Sequence, residues 1–271
     1  MHYSLTLKKR LTFLCFAFVT LSQCAFSAEP CSSTTRLAPY KDYLEHGTYA
    51  GNDFSFFSPL PKSRYYTLQK VFEYFEANKG KVVVELGTTR SFVDGRFEGC
   101  NDNNPKYWEP TNPSKWDWGA GCFTYLVAKC LGPLNIKIYT VDLMRDHIQR
   151  CKVITQPFSN LISYNICSSV HFLRNYNSHN QIDLLYLDTG DITPIEPTAR
   201  LHLQEARIIV RRNLIAPGGI ILIDDVKHPA PIRIDHDKSG LGKAKYSIPY
   251  FLNHGFELID SEFQYILRRK N

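Results

Sequence analysis

The stretch "VVVELGTTRSF", residues 82–92, decides how the rest of the chain is read. Val82, Val83 and Val84 are a continuous apolar run, as a strand covered on both faces requires. The run closes on Glu85, Leu86 and Gly87, where a nucleotide-binding α/β unit begins its glycine-rich turn. Thr88, Thr89, Arg90, Ser91 and Phe92 then follow where a second glycine is expected. Asp142, an acid of the kind that holds a ribose, lies 57 residues after Glu85 but only 21 after Gly121. The interval from such a loop to its acid is about 20 residues. The loop therefore reads as interrupted: Gly87 and Thr88 open it, residues 91–118 are spliced in, and Gly119 and Gly121 close it. A nucleoside would sit among Gly87, Glu85 and Asp142, with its ribose hydroxyls on Asp142 and the backbone close at the glycines.

Outward from this strand, helical and extended patterns alternate. Residues 29–65 form a polar N-terminal extension. Val71, Phe72 and Phe75 have helical spacing within 66–78, with Gly80 as the stop. Strands are expected at 82–86, 136–141, 161–165, 182–187 and 220–223, and helices at 122–131, 145–154 and 168–175. Pro197 opens a further long helix, at a position a first turn accepts. Pro217, Gly218 and Gly219 turn the chain into the fifth strand. A helix near 243–253 and two closing strands, about 256–259 and 262–268, complete the pattern. The fold expected is α/β: a Rossmann-like, doubly wound, mostly parallel seven-stranded sheet with an antiparallel C-terminal edge strand, in one domain over 66–271.

The composition agrees with such a core: 44% of the 271 residues are apolar and 13% aromatic, which excludes a disordered or fibrous chain. Residues 1–28 stand apart. Lys8, Lys9 and Arg10 precede an apolar run over 11–21, and Ala25, Ser27 and Ala28 have cleavage spacing, so the segment reads as a signal peptide. The run is short for a membrane span. A secreted or periplasmic mature chain without a stable span is expected. Loss of the leader leaves 29 basic against 26 acidic residues, so the formal excess falls from +6 to +3. That excess is too small to point to nucleic acid. Among the six remaining cysteines, Cys122, Cys130 and Cys167 lie in apolar stretches and read as buried thiols, while Cys31 and Cys100 are the candidates for a bridge. No Cys-x-x-Cys pair occurs, which argues against structural zinc.

Four expected strand ends carry carboxylates: Glu85, Asp142, Asp188 and the pair Asp224 and Asp225. Open α/β sheets bind ligands beyond those ends. Taken together, "VVVELGTTR", "YTVDL", "LLYLDTGDITPIEPTA" and "LIAPGGIILIDDV" resemble the class I S-adenosylmethionine-dependent methyltransferases. Within them the chain is similar, over roughly 66–269, to the metal-dependent O-methyltransferases of the macrocin type, which modify sugar hydroxyls. "PGGIILIDD" is the most specific part. Two features depart from that family's pattern: Asp188, Thr189, Gly190 and Asp191 are one residue longer than its Asp-Gly-Asp, and the glycine loop carries the insertion. The resemblance implies an S-adenosylmethionine cofactor and a divalent ion, magnesium by its preference for oxygen ligands, on Asp188, Asp224 and Asp225. It implies Asp191 as general base toward a sugar or phenol-like hydroxyl, and a contact of Ser168 and Asp188 with the cofactor.

Other residues carry two readings each. His147 flanks the adenine or is an ordinary surface histidine, and Ser168 contacts the cofactor or caps the following helix. Tyr107, Trp108, Trp116 and Trp118 form an aromatic wall for a ring or simply pack the insertion. Lys243 and Lys245 orient an anionic substrate or lie on a solvated helix face. The competing function is a secreted binding protein on the same fold that grips its ligand through the tryptophan-rich insertion. A nicotinamide-dependent oxidoreductase would carry an uninterrupted glycine fingerprint, which is absent.

Overall fold

The computed structural model describes residues 32–46, 48–49, 52–53, 63–100, 102–119, 122–226 and 239–271. Residues 1–28, expected as a leader, and Cys31 and Gly121 lie outside them. Seven strands build one sheet: β1 Val82–Leu86, β2 Lys137–Asp142, β3 Ile162–Ile166, β4 Ile182–Leu187, β5 Ile215–Ile223, β6 Phe256–Ser261 and β7 Tyr265–Arg269. Their order is β3-β2-β1-β4-β5-β7-β6. The first five are parallel, and β7 runs antiparallel between β5 and β6, so the C-terminal pair makes the expected antiparallel edge. The strand order reverses between β1 and β4, which pair directly, Glu85 opposite Tyr186 and Leu86 opposite Leu187.

The apolar strand runs divide the core into two layers, because neighbouring residues of a strand point to opposite faces. Val83, Ile138, Leu184 and Leu222 face a layer built with α3 Arg64–Ala77 and α4 Phe123–Leu131. Val84, Leu86, Leu185 and Ile223 face a layer built with α6 Ser169–Asn175, α7 Ile195–Arg211 and α8 Ser247–Leu252. α5 Arg145–Ile154 follows β2. Burial on both faces is why these strands read as apolar runs instead of alternating patterns.

The elements differ from expectation at a few points. The polar approach contains two helices, α1 Ser33–Leu37 and α2 Lys41–His46, which bury Leu37, Tyr43 and Leu44. α1 packs on α3 and α4, and α2 on α3, within a unit spanning Ser32–Asn271. β5 begins five residues early, because Pro217, Gly218 and Gly219 lie inside it: its register to β4 shifts between Ile182 and Leu184. After α3 the left-handed residue is Lys79, φ 56°, while Gly80 is where the Phe75 ring approaches. Among the described residues no helix is long and apolar enough to cross a membrane.

Candidate active site

The carboxyl ends of β1, β2, β4 and β5 surround a cavity of ≈ 550 Å³, at the point where the strand order reverses. Gly87 sits at its base with φ 86°, a left-handed backbone that glycine adopts without strain. A Cβ there would stand 2.4 Å from the Asp188 carbonyl oxygen, so a side chain would force the ends of β1 and β4 apart. Thr88, Gly119, Asp142, Ser168, Asp188 and Asp191 join Gly87 in the lining. Glu85 is not among them.

The Glu85 carboxylate is buried, and its Oε2 accepts from the hydroxyls of Thr88 (2.8 Å), Thr140 (2.7 Å) and Thr124. Burial pushes this carboxyl up to about 7, against the pull of those three donors. It ties the start of the loop to β2 and α4. Asp142 does face the cavity. Its Oδ2 accepts from the Thr88 backbone N–H at 3.1 Å and lies 3.1 Å from His147 Nδ1, and its Oδ1 accepts from the Met144 N–H at 2.7 Å. The carboxylate is thus oriented by backbone groups before any ligand arrives. Ser168 caps α6, its Oγ accepting from the His171 N–H, and it also lines the cavity.

The loop after β4, Asp188 to Asp191, is held from beneath by α7. His202 Nε2 lies 2.9 Å from the Thr189 carbonyl oxygen, and the Thr189 hydroxyl donates to Glu205 at 2.9 Å. Both side chains are fully buried; burial holds His202 down to about 3 and pushes Glu205 up to about 7. This pair braces the residue that lengthens the loop. At its far end Asp191 is 70% exposed and accepts from Arg90 Nη1 at 2.6 Å across the mouth.

Asp188, Asp224 and Asp225 converge as expected: one carboxylate oxygen of each lies within 4.8 Å of the others. Asp225 is turned toward the others by a left-handed backbone, φ 53°, which Asp tolerates better than most residues. Two buried cations occupy the cluster. Lys243 Nζ lies 2.6 Å from Asp188 Oδ1 and 3.0 Å from Asp225 Oδ2. Arg64 spans Asp224, Nη2 to Oδ2 at 2.5 Å and Nε to Oδ1 at 3.3 Å, with its guanidinium 3.9 Å over the Trp118 ring. Burial works against both charges, and the carboxylates more than offset it, so both cations are held more firmly than in free side chains. Burial pushes the Asp188 carboxyl up to about 7, with the Lys243 ammonium pulling against it and the Asp224 and Asp225 charges adding to it. A divalent ion needs oxygens with open lone pairs and room at short range. With Lys243 and Arg64 in place, this donor set does not fit one.

Lys243 belongs to a 3-10 turn, Gly242–Ala244, and is 1% exposed, which corrects the solvated-helix reading. Lys245 pairs with Glu196 at 2.6 Å. The aromatic wall is also corrected. Trp116 is 1% exposed and packs against Tyr40, Tyr43, Trp108 and Tyr125, so the insertion's rings are spent on the core; Trp118 alone of the three also lines the cavity. Cys122 and Cys130 are buried as expected, Cys167 is half-buried, and the Cys100 thiol is free.

No family model and no curated protein matches the sequence. Solved structures do resemble it. One is the cofactor-bound Rv0187 from MTB, at 14% identity over 91% of this chain and 94% of that one, with a TM-score of 0.47. A second is an O-methyltransferase, so described provisionally, from Klebsiella pneumoniae, at 13% identity over 88% and 90% with a TM-score of 0.47. A third is the S-adenosylhomocysteine-bound methyltransferase PaMTH1 of Podospora anserina, at 13% identity over 76% and 79% with a TM-score of 0.48.

Proposed function

We propose that this chain is an S-adenosylmethionine-dependent methyltransferase acting on a hydroxyl of a small molecule, a sugar or a phenol. The observation that carries the reading is Asp142: a carboxylate fixed by two backbone N–H groups at the end of β2, facing a cavity floored by Gly87. That arrangement suits a ribose diol, whose two hydroxyls donate to one carboxylate. The exposed apolar side chains of Leu143 and Met144, which line the same cavity, suit the flat face of an adenine.

The cofactor supplies a methyl group activated on a sulfonium. The chain's residues bind, align and deprotonate. Gly87 lets the loop lie close against the end of β4, Thr88 ties it to Asp142 and Glu85, and Ser168 closes the adenine side. Asp191 would take the acceptor's hydroxyl proton on its carboxylate as that oxygen accepts the methyl group the bound cofactor would supply, leaving S-adenosylhomocysteine. For this the carboxylate must leave Arg90, an exposed ion pair that exchanges with solvent at little cost. No step passes through a divalent ion. The leader over 1–28 supports export of the mature chain, so the cofactor must be met in a compartment that contains it.

Calorimetric titration with S-adenosylmethionine and S-adenosylhomocysteine tests the reading. Micromolar binding of both is expected, weakened at least tenfold in Asp142→Ala. Asp191→Asn is expected to keep cofactor binding and to lose methyl transfer in a screen of hydroxyl acceptors. Failure of the folded parent to bind either compound would sink the proposal.

A further inference from the structure

We infer that the acid cluster at the ends of β4 and β5 carries its own cations in place of a divalent ion, with the Lys243 ammonium standing in the coordination position between Asp188 and Asp225. The spacing of the three carboxylates, within 4.8 Å, is that of a metal-binding set. Their partners are not. An ammonium has three N–H groups. Those of Lys243 face Asp188 Oδ1 at 2.6 Å, Asp225 Oδ2 at 3.0 Å and the Gly190 carbonyl at 3.5 Å.

Asp224 is closed from the other side. Its Oδ2 accepts from Arg64 Nη2, and its Oδ1 accepts from Arg64 Nε and, at 2.9 Å, from Gln264 Nε2. Three carboxyl groups against two cations leave at most one net negative charge, which is weak attraction for a dication that must also shed its waters. Magnesium requires oxygens at about 2.1 Å in near-octahedral array. An ion that close to Asp188 and Asp225 would overlap the ammonium and be repelled by it.

Both cations are held by more than the carboxylates. The turn that carries Lys243 begins at Gly242, φ 51°, where a Cβ would stand 2.8 Å from the Asp225 carbonyl oxygen and 2.7 Å from that of Val226. The turn is therefore pressed onto the segment that presents Asp225. Arg64 also donates to the Trp118 carbonyl, and its guanidinium lies between the Trp118 and Phe263 rings, at 3.9 and 5.0 Å. The inference does not depend on the methyltransferase reading.

Manganese(II) titration of the full chain, followed by calorimetry and by the electron paramagnetic resonance signal of the free ion, tests it. The parent is expected to bind no manganese at millimolar concentration. Lys243→Ala is expected to gain one site at least tenfold tighter, lost again when Asp225→Asn is added. Lys243→Met, which keeps the length of the stem, serves as a second variant, and near-UV circular dichroism checks that each is folded. Tight stoichiometric binding by the parent, weakened in Asp225→Asn, would overturn the inference. So would folded Lys243→Ala and Lys243→Met proteins that bind no more than the parent. S-adenosylhomocysteine binding by the same samples reports on the methyltransferase reading separately.

Discussion

Glu205 and His202 show how single residues under the site set its response to pH. They lie one turn apart on α7, both wholly buried, and meet at Thr189. Glu205 has its folded pKa raised to about 7 from an ordinary 4.5, so its contribution to stability is complete below pH 4.5 and is lost as pH rises toward 7. His202 has the opposite sign: held down to about 3 from 6.5, it contributes fully above pH 6.5, and that contribution is lost as pH falls toward 3. The two slopes oppose each other between pH 4.5 and 6.5. Glu205→Gln removes one of them. Relative to the parent, this variant is expected to gain stability between pH 4.5 and 7 by up to roughly 3 kcal/mol, on top of a pH-independent offset from the amide's unpaired donors. Denaturant unfolding at a series of pH values checks this; a difference that stays flat with pH would show that Glu205 is ionised in the folded state throughout.

The insertion between Gly87 and α4 has the composition of a ligand-gripping element and the behaviour of a core element. Its two 3-10 turns, Pro105–Tyr107 and Pro113–Lys115, bring Trp108 and Trp116 into a stack at 4.7 Å, and Tyr40 of the N-terminal extension stacks on Trp116 at 5.5 Å. Two segments without an apolar period thus complete each other. Trp116→Ala is expected to cost about 3–5 kcal/mol of stability, the range for emptying a fully buried aromatic site. Cofactor affinity at a temperature where the variant is folded should change less than threefold. Unaltered thermal stability with lost ligand binding would instead make Trp116 a contact residue.

Much of the whole molecule is legible in the sequence, for a physical reason. β1 and β4 carry their information locally, in apolar runs such as Val82–Leu86 and Ile182–Leu187 that close on an acid or a glycine, and both match the expected bounds. Asp142, Asp188 and Asp225 reach the cavity because their place at a strand end fixes their place in space. What escaped was non-local. Arg64 lies 160 residues from Asp224 and Lys243 lies 55 from Asp188, and no periodicity announces such pairs. The one signal was Lys243 wedged between Gly242 and Ala244, small neighbours that let a turn press inward. α1 and α2 were hidden by their polar faces, and the early start of β5 by the glycines of its irregular register.

The place of β7 has a consequence in time. It lies between β5 and β6, with Ile221 opposite Leu267 on one side and Leu258 opposite Leu267 on the other, yet it is the last strand of this sheet to be synthesised. Until Tyr265–Arg269 leaves the ribosome, β5 and β6 have no neighbour between them, and both wait with unpaired edges. A chain stopped after Phe263 is accordingly expected to be protease-sensitive and to lack the near-UV signature of the full chain, whereas a folded product would mean that β5 and β6 close on each other. The sheet is a structure that cannot be finished from its beginning: its nascent form is held open by the order of translation.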